Sequence, residues 1–499
     1  MKMSRFAPFA IRANKRAVWL LLTWTTLMLG CELLVLLDGF GVLVWATWLL
    51  RLIGLLIVLA FVLDYLWLFL AYRHMGQMSV IRHADNNLSV YEYANVSLGL
   101  YHEYLPSLCH ALSFRVMDYY PSITQTDQLP VTVSGYQLSD DNPHDDDLQG
   151  LTISYPLYAN ERGLAVFGGV DWLISTPLGL LAKFYHTPKA DVQGVADVRI
   201  LVNFKALVQG NLLAVSKRTN TGGIIKKRRK GQGQDFHQIR SYTEGDSIRH
   251  IHWKATARQQ RLMTKEYQDE ADQEILFLLD CGQNMRHTRF IPDDKLANLE
   301  PWQVSNGDNT ERVSHLDKAL NAMLLLAEVA NRQADATGFI SFSGEINKTA
   351  MPKKGAKVIS YLLNQTFDLQ ASMHAPDYMS ATRQALSLQK RRSLIILITN
   401  IRTANTDEIM GALQLLTQKH RVILVNLYES DLKHYLQNTP QSVQDALTYH
   451  SIKSYLDTQK QINASLAQST GTLVISSTPE ELPQKLLDGY WQVKRFGVV

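Results

Sequence analysis

The chain has 499 residues, 46% hydrophobic and 19% charged, with a formal charge of +4, which is too long for one ordinary core, so two or three folding units are expected. Residues 1–83 hold eight Lys and Arg against Glu32, Asp38 and Asp64, a balance of +5 that leaves the other 416 residues at −1; such a body lacks the broad basic surface of a general nucleic-acid binder. Cys31, Cys109 and Cys281 stand without CxxC spacing and suggest neither a disulfide framework nor a zinc site, which fits a reducing compartment.

Residues 1–83 read as a membrane anchor. Residues 17–37 form an apolar run broken only by Glu32, and a second run, about 42–72, comes after a short Asp38-Gly39 break. A spanning helix needs ~20 apolar residues, so two crossings joined by a tight turn are expected. A cleaved signal peptide is disfavoured by the missing cleavage site and by the second run directly behind the first. Five cations precede the first span, Arg73 and Arg82 come after the second, and the turn carries only Asp38. The positive-inside rule therefore predicts a multi-pass protein of the bacterial inner membrane, with the bulk of the chain in the cytosol. Glu32, Arg51 and Asp64 lie in or near the hydrocarbon. They are expected to pair helices or snorkel, because two spans enclose too little for an ion path.

Residues 84–215 change to short β-branched and aromatic runs separated by turn signals, which predicts a small antiparallel β-sandwich-like domain. The acidic cluster 140–147 lacks the glycine and terminal glutamate of a calcium loop and reads as an exposed turn. Residues 216–273 hold a linker and then a distinctive segment. Within the linker, the basic run 226–230 reads as a solvated loop, with anionic lipid as its functional alternative.

The segment 234–270 is dense in charged and aromatic residues: Arg240, Tyr242, Asp246, Arg249, Trp253, Lys254, Arg258, Lys265 and Glu266. Gly245 fits a turn, with Asp246 placed to cap the element after it. Arg240 and Arg249 can each fork onto a carboxylate, with Asp246 the obvious partner, and Trp253 offers a ring face to a guanidinium. The residues alone suggest a polar clasp between two domains. This run resembles the hallmark of the bacterial membrane protein family with domain of unknown function fifty-eight. Gly233, Phe236, Arg240, Tyr242, Gly245, Asp246, Arg249, Ile251, Trp253, Lys254, Ala257 and Arg258 fall on matching positions, and Leu262, Met263, Lys265 and Glu266 match further on. Asp235 replaces the usual Glu, and His252 stands where Asp is usual. The resemblance implies paired spans, a β-rich middle with a matching stretch from Arg162 to Leu180, and a C-terminal von Willebrand A-like domain. It also implies a MoxR-type AAA+ ATPase as partner.

Residues 274–499 alternate strand and helix patterns. Strands are expected at 274–280, 337–344, 393–400, 422–428 and 472–476, and helices at 315–333, near 355–365, at 379–390, between the strands 393–400 and 422–428, across 430–468 and at the end. This predicts an α/β, Rossmann-type parallel sheet covered on both faces, with ligands beyond the carboxyl ends of the strands, where Asp280 and Asn400 fall. The segment looks like a von Willebrand A domain, whose adhesion site holds a divalent metal through an Asp-x-Ser-x-Ser loop and residues on two later loops. Here the first loop reads Asp280-Cys281-Gly282-Gln283-Asn284, without either hydroxyl, and Asn400 replaces the later carboxylate. No cofactor or metal is therefore expected.

The expected function is that of an interaction protein rather than an enzyme. No G-x-S-x-G elbow, Walker A loop or H-E-x-x-H run occurs, and a hydrolase built on Asp246 with His250 or His252 would lack a nucleophile to activate. A lipid-binding adaptor acting through 226–230 is the alternative.

Overall fold

The computed structural model describes residues 11–37, 44–74, 78–102, 111–134, 149–210, 235–244, 246–268, 273–287, 314–437 and 439–496. The linker run 226–230, the acidic cluster 140–147 and Gly245 lie outside them. The chain divides into two compact units, 1–201 and 202–499.

The first unit comprises β1 (Ile11–Ala13), α1 (Lys15–Leu37), α2 (Val44–His74), β2 (Met78–His83), β3 (Asn87–Ser89), β4 (Tyr93–His102), β5 (Ser113–Asp118), β6 (Thr124–Gln125), β7 (Val131–Ser134), β8 (Gln149–Ala159), β9 (Gly163–Val166), β10 (Val170–Ser175), β11 (Leu181–Thr187), β12 (Val192–Gly194) and β13 (Asp197–Leu201). The helices α1 and α2, 23 and 31 residues long, are apolar on every side and long enough to cross a membrane. Between them the Trp24 indole N–H donates to the Leu50 carbonyl at 3.0 Å. A Cβ at Gly54 would overlap the Trp24 ring, so glycine lets the helices approach. Glu32 faces Arg51 across the pair at 3.9 Å. Asp64 has no such cation among the described residues and is hydrogen-bonded by Thr176 of the β domain.

Strand alternation builds the β domain. In β10, Val170, Trp172 and Ile174 point inward while their neighbours face out. The strands form sheets in the orders β1-β11-β10-β5-β7, β12-β2-β4-β8-β6 and β3-β13-β9. Val80, Leu98, Phe114, Ile153 and Trp172 fill one core, and Val96, Leu157, Phe167, Val198 and Ile200 a second. Pairing is mostly antiparallel, as expected, but β12 with β2 and β13 with β3 run parallel. The domain also starts before residue 84: β2, placed in the anchor by the sequence, pairs with β4 over six residues. At its heart Arg82 forks onto Asp118 at 2.5 and 3.0 Å, and the Tyr155 hydroxyl donates to the same carboxylate at 2.6 Å.

The second unit begins with α3 (Phe204–Gly210), β14 (Asp235–Ser241), α4 (Trp253–Gln259) and β15 (Met263–Gln268). Helix α3, expected within the β domain, instead packs its Phe204, Leu207 and Val208 on the core of this unit. Then come β16 (Glu274–Asp280), α5 (His315–Arg332), β17 (Ala336–Phe342), β18 (Ile346–Lys353), α6 (Val358–Thr366), α7 (Tyr378–Leu388), β19 (Leu394–Thr399), α8 (Thr406–Thr417), β20 (Arg421–Leu427), α9 (Ser430–Tyr435), α10 (Val443–Thr470), β21 (Leu473–Ser477) and α11 (Leu482–Phe496). One six-stranded sheet runs β18-β17-β16-β19-β20-β21, parallel except for β18. Leu276, Leu278, Ile395 and Leu397 feed the core under α7 and α8, while Phe277, Leu279, Ile396 and Ile398 feed the core under α5 and α11. Continuous apolar strands arise because both faces are covered. The sequence missed β18: its Lys348, Pro352 and Lys353 suit an edge and break the alternation expected of a strand. Ser314 starts α5 with a capping box closed by Asp317.

Candidate functional site

The strand order reverses between β16 and β19, the place where open α/β sheets present their binding crevice. Asp280 ends β16 and Thr399-Asn400 ends β19. Asp280 is fully buried. Its Oδ1 accepts from the Gly282 amide at 2.7 Å; its Oδ2 accepts from the Thr399 hydroxyl at 2.6 Å and from the Tyr378 hydroxyl at 3.3 Å. Tyr378 and Thr399 also bond each other at 2.8 Å. Burial pushes the Asp280 carboxyl up to about 6, with these three donors opposing it. Burial, then the charge of Asp280, raises the Tyr378 hydroxyl.

This donor set does not fit a hard divalent cation. Both carboxylate oxygens of Asp280 already accept protein hydrogen bonds. A side chain at Gly282 would lie 2.8 Å from Pro376 and 3.0 Å from Asp280 Oδ1, because the loop before α7 crosses directly over it: the Gln283 amide donates to the His374 carbonyl, and the Ser372 amide to that of Cys281. The Asn284 amide nitrogen bonds the Asn400 carbonyl at 3.4 Å, while the Asn400 amide nitrogen, buried, has no partner among the described residues. No group of three His, Cys, Asp or Glu that could hold a metal occurs among the described residues. Sequence reasoning missed Tyr378 and Thr399. The α7 cap at Asp377, whose carboxylate accepts from the Ser380 amide, was the available signal that Tyr378 opens a helix at this strand-end face.

The hallmark segment folds as β14 and β15 paired antiparallel, with α4 between them in sequence. Arg240 forks onto Asp246 at 2.7 and 2.8 Å, and the Thr243 amide and hydroxyl donate to the same carboxylate at 2.9 and 3.0 Å. The Tyr242 hydroxyl reaches the Asp246 carbonyl at 3.2 Å. The Arg240 guanidinium, then the Thr243 amide, hold the Asp246 carboxyl down at about 2. The clasp thus closes within one turn of the segment rather than between two domains. Asp246 does not cap the next helix: its oxygens are turned back to Thr243, and His252 caps α4 by accepting from the Ala255 amide at 3.0 Å. A ring nitrogen, like a carboxylate oxygen, can accept an end amide, so His252 serves as the cap.

Two further expectations fail. Arg249 does not join Arg240 on Asp246, and Trp253 stacks on no guanidinium among the described residues. Both are exposed, as are Lys254, Arg258 and Arg261, and Ile248 and Trp253 stand 71% and 67% open to solvent.

A doubly wound sheet with one antiparallel edge strand and an aspartate at the end of its first parallel strand gives the C-terminal unit the α/β, Rossmann-type architecture that the sequence suggested. The family model described as protein of unknown function DUF58 matches residues 238–295 and 303–462. Among solved structures, the chain is similar to the SpRpn10 VWA domain (10% identity, 43% of this chain and 94% of that one, TM-score 0.26). It is similar to the conserved hypothetical protein BatB from Bacteroides thetaiotaomicron (14%, 44% and 97%, 0.26). A third is an aerotolerance-related membrane protein from Bacteroides fragilis (13%, 43% and 96%, 0.26). No curated protein matches the chain.

Proposed function

We propose that this is a membrane-anchored protein-interaction module. In this reading α1 and α2 cross a bacterial cytoplasmic membrane with both ends in the cytosol, and the C-terminal unit docks a partner through the exposed face of the hallmark segment. One contrast carries the reading. Arg240 and Asp246 bond each other, whereas Ile248 and Arg249 on the short helical turn after the clasp, and Trp253 and Lys254 at the start of α4, stand exposed. Trp and Arg are the residues that anchor interfaces, and pre-ordering them lowers the entropic cost of docking. The family resemblance points to a MoxR-type AAA+ ATPase as partner, in the assembly or maturation of other complexes. The engaged ring nitrogen of His252 and the internally satisfied Asp280 support a role without catalysis, metal or cofactor.

The test is a photo-crosslinking residue at Ile248 of the full chain in its native membrane. The expected outcome is an adduct with an AAA+ ATPase that disappears in Arg249→Glu/Trp253→Ala. Membranes yielding no such adduct would remove the ATPase from the proposal.

A further inference from the structure

Asp64 is a carboxylate in an apolar helix, yet it is 2% exposed, and its partners come from the β domain. The Thr176 hydroxyl bonds Asp64 Oδ2, and the amides of Leu181 and Leu178 reach its two oxygens at 3.3 and 3.4 Å. Residues 176–181 are the tip of the β10–β11 hairpin. The tip is closed by the Thr176 amide on the Leu181 carbonyl at 3.1 Å and the Gly179 amide on the Thr176 carbonyl at 2.9 Å. Gly179 turns it at φ +68°, a left-handed conformation that favours glycine. β1 lies along β11, with Ala13 opposite Leu181, and the Asn14 amide donates to the Leu180 carbonyl at 2.8 Å. Helix α1 therefore begins, at Lys15, beside the hairpin tip that holds Asp64.

If α1 and α2 span, these contacts put Asp64 near one edge of the bilayer. About 20 residues cross ~30 Å of hydrocarbon. Counted from Val44, that length of α2 ends at Asp64; counted back from Leu37, the 23 residues of α1 end at Lys15. Both helices then enter the hydrocarbon at one level, and the last turns of α2, ~15 Å of helix, rise beside the β domain. A carboxylate with three donors suits that boundary and not the interior.

A hairpin tip held at the boundary meets lipid. Its outer residues are Pro177 and Leu178, the latter 55% exposed. Arg12, Lys15 and Arg16 stand exposed beside it, and a side chain at Gly179 would come within 3.7 Å of the Arg16 guanidinium. An apolar tip among cations matches an anionic headgroup layer, with leucine at the acyl boundary and the cations on phosphates. We infer that the 176–181 hairpin is a second, peripheral membrane contact. Leu178 dips into the bilayer that α1 and α2 cross, while Arg12, Lys15 and Arg16 engage anionic phospholipid. The inference rests on the reading that α1 and α2 span.

The experiment uses the full chain with Cys31, Cys109 and Cys281 replaced by Ala, reconstituted in phosphatidylethanolamine–phosphatidylglycerol bilayers. A single NBD-labelled cysteine is placed by Leu55→Cys (outward on α2), Leu178→Cys or Leu164→Cys (exposed on the separate three-stranded sheet), and quenching by lipids with deep or shallow nitroxides is read. Leu55→Cys is expected to be quenched by the deep probe. Leu178→Cys is expected to be quenched by the shallow probe severalfold more than Leu164→Cys, and less so in pure phosphatidylcholine. No quenching at Leu55→Cys would overturn the spanning reading and the inference with it. Quenching at Leu55→Cys with Leu178→Cys equal to Leu164→Cys would overturn the hairpin contact alone. Leu178→Cys quenching unchanged in phosphatidylcholine would overturn the role of the three cations.

Discussion

The Arg240 guanidinium and the Asp246 carboxylate meet fork to fork, six residues apart, and close the turn at Thr243 that precedes the exposed Ile248 and Trp253. Both side chains are only about a quarter exposed, 26% and 20%, so the pair is charge-assisted and partly shielded from water.

Asp246→Asn is expected to loosen this turn by about 1–2 kcal/mol, the scale of a hydrogen-bonded charged pair. Faster proteolysis within 241–262, with the C-terminal sheet still folded, is the readout. Because the folded carboxyl is held down at about 2, the clasp stabilises the turn above the unfolded value near 3.9 and is lost as pH falls from there through about 2. Cleavage that speeds up between pH 8 and 5 would contradict the assignment.

Asp280 has the opposite sign. Its folded carboxyl sits at about 6, above the unfolded value near 3.9, so its contribution favours the fold below about pH 4 and is lost as pH rises through 6. Ionised at pH 8, it costs about 2–3 kcal/mol. Asp280→Asn keeps an acceptor for the Gly282 amide and turns an amide toward hydroxyls that can accept. It is expected to raise the unfolding temperature of the full chain by several degrees at pH 8 and hardly at all at pH 4.5. An equal shift at both values would show that the charge is not what burial penalises.

A metal site is not one substitution away. Gly282→Ser would supply the first missing hydroxyl, but it drives a side chain against Pro376 and Asp280. The variant is expected to lose about 1–3 kcal/mol by overpacking. Differential scanning fluorimetry with and without magnesium should show no shift in either protein. A magnesium-dependent rise in the variant would mean that the loop before α7 can move aside.

The alternation of apolar runs in 274–499 revealed the doubly wound sheet because strands such as 394–399 are buried on both faces and carry no polar residue until Thr399. The hidden parts of the site depend on contacts between distant segments. Tyr378 reaches Asp280 across 98 positions, and nothing local to either marks the pair. Arg240 and Asp246, six apart, could be matched by eye. Arg249 could not be excluded in the same way, since its direction depends on the short helical turn at Ile248–His250. Asp64 looked like a membrane charge because its partner Thr176 lies 112 positions on.

Within the β domain, Arg82 and Asp118 are both buried, and Arg82 also reaches the Gly168 carbonyl at 3.2 Å. Removing one member of a buried pair strands the other charge, at a cost of about 3–5 kcal/mol. Asp118→Ala is therefore expected to unfold the β domain, read as loss of slow amide exchange in β2, β4 and β8. Tyr155→Phe should cost only about 1 kcal/mol, because Asp118 keeps its guanidinium. Slow exchange surviving in Asp118→Ala would show that the apolar core alone suffices.

The same logic applies in the membrane to Glu32 and Arg51, 3.9 Å apart on facing helices. Arg51→Leu leaves a carboxylate without a cation in or near hydrocarbon and is expected to reduce stable insertion of the hairpin. Adding Glu32→Leu removes the stranded charge, so the double variant should insert at least as well as the natural chain although it has lost the pair. Alkali extraction of membranes from the three proteins gives the measurement: the single variant is released and the double variant is retained. If the double variant were released as readily as the single, the pair would be holding the helices together by attraction rather than only neutralising two misplaced charges.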